Sequence, residues 1–359
     1  MCGLGGILNR YGERMSGREI IRMSCMMRDR YDGRGGGFAG YGIYPRYAEY
    51  YALHLFFRDE LAKERTEELL KDRVAIIKDE RIPMRRVKEI PQENIVWRYF
   101  VEVPHRFSNR REYLEKEEDY ITELVFTIND CIDGAFVASS GKNMGVFKAT
   151  GMPDAVAEMY RVEKYRAYCW ITHGRFPTNT PGWWGGAHPF NLLDWSVVHN
   201  GEISSYGTNK RYLEAHGYKC RLLTDTEVVA YLFDLLVRKQ GLSLRSAAIA
   251  LTPPFWKQIE RMPEPKRSAF TALRMTYSQA MLNGPFAVII TNRDTMVGLN
   301  DRIKLRPLIA ASSDDCVYLA SEEAAIREVE ENINRLWAPR AGNPVIARLD
   351  EEVREEVIH

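Results

Sequence analysis

The chain has 359 residues, 45% of them hydrophobic and 11% aromatic, enough to bury one large core or two ordinary ones. Its 50 Lys and Arg against 49 Asp and Glu leave a formal net charge of +1, which argues against bulk-charge binding to nucleic acid and against a polybasic membrane surface. No apolar run approaches the roughly 18–20 residues needed to cross a bilayer, no secretory layout opens the chain, and the cysteines at 2, 25, 131, 169, 220 and 316 include no Cys-x-x-Cys pair, against a disulfide framework, a zinc ribbon or an iron–sulfur cluster.

In chain order, Met1-Cys2-Gly3-Leu4-Gly5-Gly6-Ile7 opens a strand over 3–8. Removal of Met1 would give Cys2 a thiol and a free α-amine on one residue. The amine, with a reference pKa of about 7.7–8.0, can serve as the base that a thiol of pKa about 8.5 needs. Residues 17–30 carry helical spacing with a Met-rich apolar face, read as core. Asp32 to Gly37 is too glycine-rich for a helix or regular strand and reads either as a turn or as a loop closing over a small ligand. Residues 38–56 read as two strands joined at Pro45. From 58 to 130 the chain changes character, with charged helices over 58–72 and 109–128 and strands near 74–78 and 95–103, and reads as an inserted lobe on the same core.

Residues 134–149 read as a hairpin and 153–164 as a short helix. A strand over 167–173 runs into Arg175-Phe176-Pro177-Thr178-Asn179-Thr180 and a Gly/Pro/Trp loop, then His188-Pro189-Phe190, a strand over 195–198, and His199-Asn200-Gly201-Glu202. A helix over 209–216 follows. Thr224-Asp225-Thr226-Glu227 opens a long apolar helix with a capping residue and early acids. Helices near 243–261 and 266–282, strands near 286–292, 295–299, 308–312 and 317–320, a helix over 321–335 and a last strand near 344–349 complete an α+β pattern.

Separated motifs carry the chemistry: Cys2-Gly3, Arg175 to Asn179, His199 to Glu202, Asp225-Thr226-Glu227, and Asp301 to Pro307 followed by Ala320-Ser321-Glu322. In this order they resemble the class II glutamine amidotransferases, which are N-terminal nucleophile hydrolases. The nearest likeness is to the amidotransferase part of glutamate synthase, in the split form found in archaea. The resemblance covers most of the chain and implies a four-layer αββα sandwich over residues 2–350, with the inserted lobe at about 58–130.

The resemblance also implies roles. Cys2 would attack the glutamine side-chain amide, Asn200 and Gly201 would hold the oxyanion, Arg175 would fork onto the α-carboxylate, and Asp225 would pair with the α-ammonium, with Thr178 and Asn179 lining the same pocket. A helix cap is the plain alternative for Asp225, and a hairpin turn for Asn200-Gly201. Phe176 stands where several relatives use Trp, and Thr-Asp-Thr-Glu where Ser-Asp-Ser-Glu is common. His173, His188 and His199, spaced by 15 and 11, match no zinc pattern, so no metal is expected.

The implied function is a cytoplasmic glutaminase subunit that binds L-glutamine and passes ammonia to a glutamate synthase-type partner. The chain itself would carry no cofactor, FMN and iron–sulfur clusters belonging to partner subunits. No nucleic acid or membrane is expected as partner. Another acceptor, as in an N-methylglutamate synthase or a γ-glutamyl ligase, or a non-catalytic scaffold with Met1 retained, stays open.

Overall fold

The N-terminal strand Gly3–Asn9 lies in the middle of a sheet, between Cys169–Gly174 and Cys316–Ala320. The computed structural model describes residues 1–91, 94–104, 110–176 and 182–355. Among these residues the sheet has seven strands, continuing through Gly36–Tyr41 to Met144–Ala149 on one side and through Ile309–Ser312 to Arg335–Trp337 on the other. Side chains alternate across a strand, and the first strand uses both faces. Leu4 and Leu8 join a core shared with Val198, Ala287, Ile289 and Met296 of a second sheet. Ile7 faces the opposite way, with Ile20 and Met23 of the helix Gly17–Met26 and Val156 and Tyr160 of the helix Pro153–Tyr160.

The second sheet runs Phe190–Leu192, Trp195–Gly201, Phe286–Thr291, Thr295–Asn300, Val345–Arg348 and Arg354–Glu355. Its other face packs Val197, Val288 and Ile290 against Val228, Val229 and Leu232 of the helix Asp225–Phe233 and Leu213 of the helix Tyr206–Ala215. Each fully buried aliphatic side chain contributes roughly 1.5–3 kcal/mol, so the two sheets are clamped over their length. The molecule is thus α+β, with helices on the outer faces of two packed sheets.

A separate four-stranded sheet is built from Ala75–Arg81, Ile95–Glu102, Tyr51–Phe57 and Ala135–Ser139. It takes strands from both sides of the 58–130 stretch. Two expected pairings therefore fail. Gly36–Tyr41 and Tyr51–Phe57 are not partners, because the short helical turn Pro45–Tyr47 sends the chain from one sheet to another. Ala135–Ser139 and Met144–Ala149 likewise part, the first pairing with Tyr51–Phe57 and the second with Gly36–Tyr41.

Three further expectations need correction. Gly36 and Gly37 belong to a strand. A Cβ at Gly36 would lie 2.9 Å from the backbone of Pro153, and one at Gly37 would run into the His188 carbonyl, so the glycines serve close packing rather than a loop. The helix near 243–261 is split into Leu244–Leu251 and Trp256–Glu260, because Pro253 and Pro254 cannot continue it. The helix over 321–335 ends at Arg327, and Arg335–Trp337 instead pairs with Ile309–Ser312. No described helix is long and apolar enough to cross a membrane.

Candidate active site

The antiparallel register Gly3↔Gly174 sets Cys2 beside Arg175 and Phe176. Tyr31 lies across that pair: a Cβ on Gly3 would come within 2.6 Å of its ring, and one on Gly174 would collide with it. The late motif fixes the same end of the strand. Ser321 Oγ accepts the Leu4 N–H at 3.0 Å, and the Ser321 N–H donates to the Leu4 carbonyl at 3.0 Å. Arg30, paired with Glu322, donates from Nε to the Cys2 carbonyl at 3.2 Å.

Cys2 Sγ accepts the Phe176 N–H at 3.3 Å. Burial pushes the thiol up, against the opposing pull of that N–H, the terminal ammonium and Arg175. The thiol is therefore protonated at rest and needs a base. Cys2 opens onto a cleft of about 200 Å³ whose walls include Arg175, Gly201, Ile203, Leu223 and Asp225. That is smaller than the roughly 300–1,000 Å³ of drug-sized sites and suits an amino acid.

Arg175 is buried, 6% exposed. Its N–H donates to Gly35 at 2.8 Å, its carbonyl accepts from Asp32, and its guanidinium is packed so close to Gly186 that a Cβ there would collide with it. The Asp32–Gly37 segment is therefore a wall of the Arg175 site. Burial pulls the guanidinium down, while Cys2, Asp32 and Asp225 pull the other way. Asp225 is not the helix cap. Thr224 caps the helix, accepting the Thr226 N–H at 3.1 Å. The Asp225 carboxylate instead accepts the Ile203 N–H at 2.9 Å and lines the cleft. Burial pushes it up, but His199, the Ile203 N–H and Thr226 outweigh this and hold it below the usual range.

Asn200 and Gly201 close the strand Trp195–Gly201 rather than forming a two-residue hairpin turn. Gly201 has φ +138°, and a Cβ there would run into the Pro285 carbonyl, so glycine is required on both counts. Asn200 is 2% exposed, and its Nδ2 has no hydrogen-bond partner among the described residues. Its chain neighbours His199 and Gly201 line the cleft, while Asn200 itself does not. Thr178 and Asn179 lie outside the described residues.

The three histidines converge, which their spacing in sequence did not reveal. His173 and His188 stack with ring centroids 3.8 Å apart. Thr226 Oγ1 bonds His188 Nε2 at 2.8 Å and His199 Nδ1 at 3.1 Å while donating to Asp225 Oδ1 at 3.3 Å. A hydroxyl has one proton to give, so both imidazoles donate to it. His173 Nε2 donates to the His199 carbonyl at 2.9 Å. The remaining nitrogens, His173 Nδ1, His188 Nδ1 and His199 Nε2, are buried without partners among the described residues. Burial lowers His173 to about 3 and takes His188 well below its ordinary value. Among the described residues no group of three His, Cys, Asp or Glu side chains is placed to hold a metal ion.

The Cys2 thiol, the Arg175 side chain and the Asp225 carboxylate thus share one small cleft with Gly201. The family described as "Glutamine amidotransferases class-II" matches residues 59–352, and the chain belongs to the class II glutamine amidotransferases. It is 47% identical over 357 residues to a protein of Archaeoglobus fulgidus, covering 99% of this chain and 94% of that one. It is 26% identical over 334 residues to a protein named as a glutamine amidotransferase from Methanothermobacter thermautotrophicus, covering 92% and 94%. The large chain of the NADPH glutamate synthase of Bacillus subtilis is 25% identical over 236 residues, 58% of this chain and 15% of that one. In fold, the glutamine phosphoribosylpyrophosphate amidotransferase of B. subtilis is similar with a TM-score of 0.50 at 15% identity, over 100% of this chain and 49% of that one.

Proposed function

We propose that the chain is a cytoplasmic glutaminase subunit in which Cys2 is the nucleophile. The observation that carries this reading is the register Gly3↔Gly174, which sets the Cys2 thiol against Arg175 at a cleft closed by Asp225. Met1 is 55% exposed, so it is accessible for removal. Once it is gone, the new α-amine takes the thiol proton and Sγ attacks the side-chain amide carbon of glutamine. The oxyanion is held by Asn200 Nδ2 and by the Gly201 N–H. Collapse breaks the C–N bond, the proton passes to the leaving nitrogen, and ammonia departs from a γ-glutamyl thioester that water then converts to glutamate.

Arg175 binds the α-carboxylate and Asp225 the α-ammonium. Helices on both outer faces of two packed sheets support the four-layer αββα sandwich, with the lobe at about 58–130 as an insertion. The partial likeness to a glutamate synthase large chain supports a synthase-type, FMN-containing partner as ammonia acceptor. The test is a glutaminase assay on the Met1-processed chain, alone and with such a partner, 2-oxoglutarate and a reductant. Glutamate formed from 2-oxoglutarate only with the partner supports the reading; channelling by the chain alone contradicts the separate-partner arrangement.

A further inference from the structure

Behind the cleft lie two buried charged residues that the proposed chemistry does not use. Glu227 is 2% exposed and Lys148 1%. Both face one small void of about 10 Å³. Glu227, on the helix Asp225–Phe233, accepts the N–H of Arg221 on Oε1 at 3.0 Å and of Leu222 on Oε2 at 3.0 Å, and Tyr231 donates to it at 3.2 Å. The next residue, Leu223, has φ +54°, is 69% exposed, and lines the cleft with Thr224 and Asp225. Lys148, on Met144–Ala149, donates from Nζ to the Ala187 carbonyl at 3.0 Å, with the Phe190 ring 4.6 Å away. Ala187 precedes His188, which also lines the cleft and bonds Thr226.

We propose that Glu227 and Lys148 are positioning residues, which hold the 221–225 and 187–188 segments of the glutamine cleft from behind. The proposal rests on the glutaminase reading of that cleft. A carboxylate binding two consecutive backbone N–H groups forces the 221–223 turn into one shape, and that turn delivers Asp225. A lysine on the Ala187 carbonyl fixes the approach to His188.

Burial raises Glu227 to about 7, against the Arg221 and Leu222 N–H groups, Tyr231 and Lys148, while burial lowers Lys148 to about 7, with Glu227 opposing and Arg175 assisting. The other titratable groups facing the pair are Cys220, Tyr206 and the Arg221 guanidinium, with Asp130 beyond Tyr231 and His188 beyond Lys148. The carboxylate grips the turn more strongly than the acid does. The grip therefore strengthens as pH rises through about 7 and weakens as pH falls through it.

The experiment measures amide hydrogen exchange of glutamine-free protein together with KM and kcat against pH, in wild type, Glu227→Gln and Lys148→Met. In Glu227→Gln the Arg221 and Leu222 amides exchange about tenfold faster, and KM for glutamine rises about tenfold while kcat moves less than about twofold. The wild-type rise in KM below pH 7 is absent in that variant. In Lys148→Met, which removes the donor to the Ala187 carbonyl, KM for glutamine rises while the Arg221 and Leu222 amides exchange at the wild-type rate; an unchanged KM overturns the role of Lys148. Unchanged exchange at Arg221 and Leu222 overturns the clamp, whether or not the protein hydrolyses glutamine. Faster exchange with unchanged KM overturns its role in positioning. Wild-type protein that leaves glutamine intact sinks the glutaminase reading instead, with the exchange result still deciding the clamp. Should Glu227→Gln fail to fold, Tyr231→Phe removes one donor from the same carboxylate and is read by the same exchange, with unchanged rates again contradicting the clamp.

Discussion

Two buried polar clusters of similar depth treat their hydrogen bonds in opposite ways. In the four-stranded lobe, His54 is fully buried and both ring nitrogens are paired, Nε2 with Tyr44 Oη at 2.7 Å and Nδ1 with the Val146 carbonyl at 3.0 Å. Arg98 closes that network by bonding Glu80, Tyr44 and Tyr165. Beside the cleft, His173, His188, His199 and Asn200 are also buried, yet each keeps a polar atom without a partner among the described residues. Leaving such an atom unpaired costs roughly 1–3 kcal/mol. The lobe network stabilises a fold. The cluster by the cleft instead leaves part of its hydrogen-bonding capacity unused among the described residues.

The sharpest way to break this contrast is Cys2→Ala. Nucleophile deletion lowers kcat by roughly 10⁶, and a variant retaining steady turnover would remove Cys2 from the chemistry. Asn200→Ala comes next, with a loss of roughly 10²–10³ in kcat and little change in melting temperature, since its Nδ2 bonds nothing in the described protein. A large thermal shift with normal turnover would move Asn200 into the structural cluster. His54→Ala should do the reverse. It removes two satisfied bonds and opens a cavity, for a loss of about 3 kcal/mol in chemical denaturation, while kcat/KM of the folded fraction stays at the wild-type value. Arg175→Lys replaces a fork by a point charge and should raise KM roughly 10–150-fold, the worth of one charged hydrogen bond; an unchanged KM would count against carboxylate binding. Thr224→Ala, the true helix cap, is the smallest change, at about 1 kcal/mol of stability.

Local signals carried most of the strands and the site. Gly3–Asn9, Phe286–Thr291 and Thr295–Asn300 fall within a residue or two of their apolar runs, and Cys2, Arg175, Gly201 and Asp225 do share one cleft. What local pattern could not carry was choice of partner. Gly36–Tyr41 and Tyr51–Phe57 look like a hairpin because they are adjacent and apolar, but each finds its ladder elsewhere. The same limit hid the histidine cluster, which joins residues from three segments through Thr226. It also hid Lys148 and Glu227, which read as an ordinary strand lysine and a helix-start acid until their burial is known. A sequence signal for Lys148 did exist: a lysine in GVFKATG faces the same way as the core residues Met144 and Val146.

The most direct test of the central claim is intact-protein mass spectrometry before and after treatment with 6-diazo-5-oxo-norleucine, with the adduct located by peptide mapping. The account predicts a chain lacking Met1 that gains one adduct, on Cys2. A chain that keeps Met1 and takes up no adduct, or takes it up at another cysteine, would contradict it.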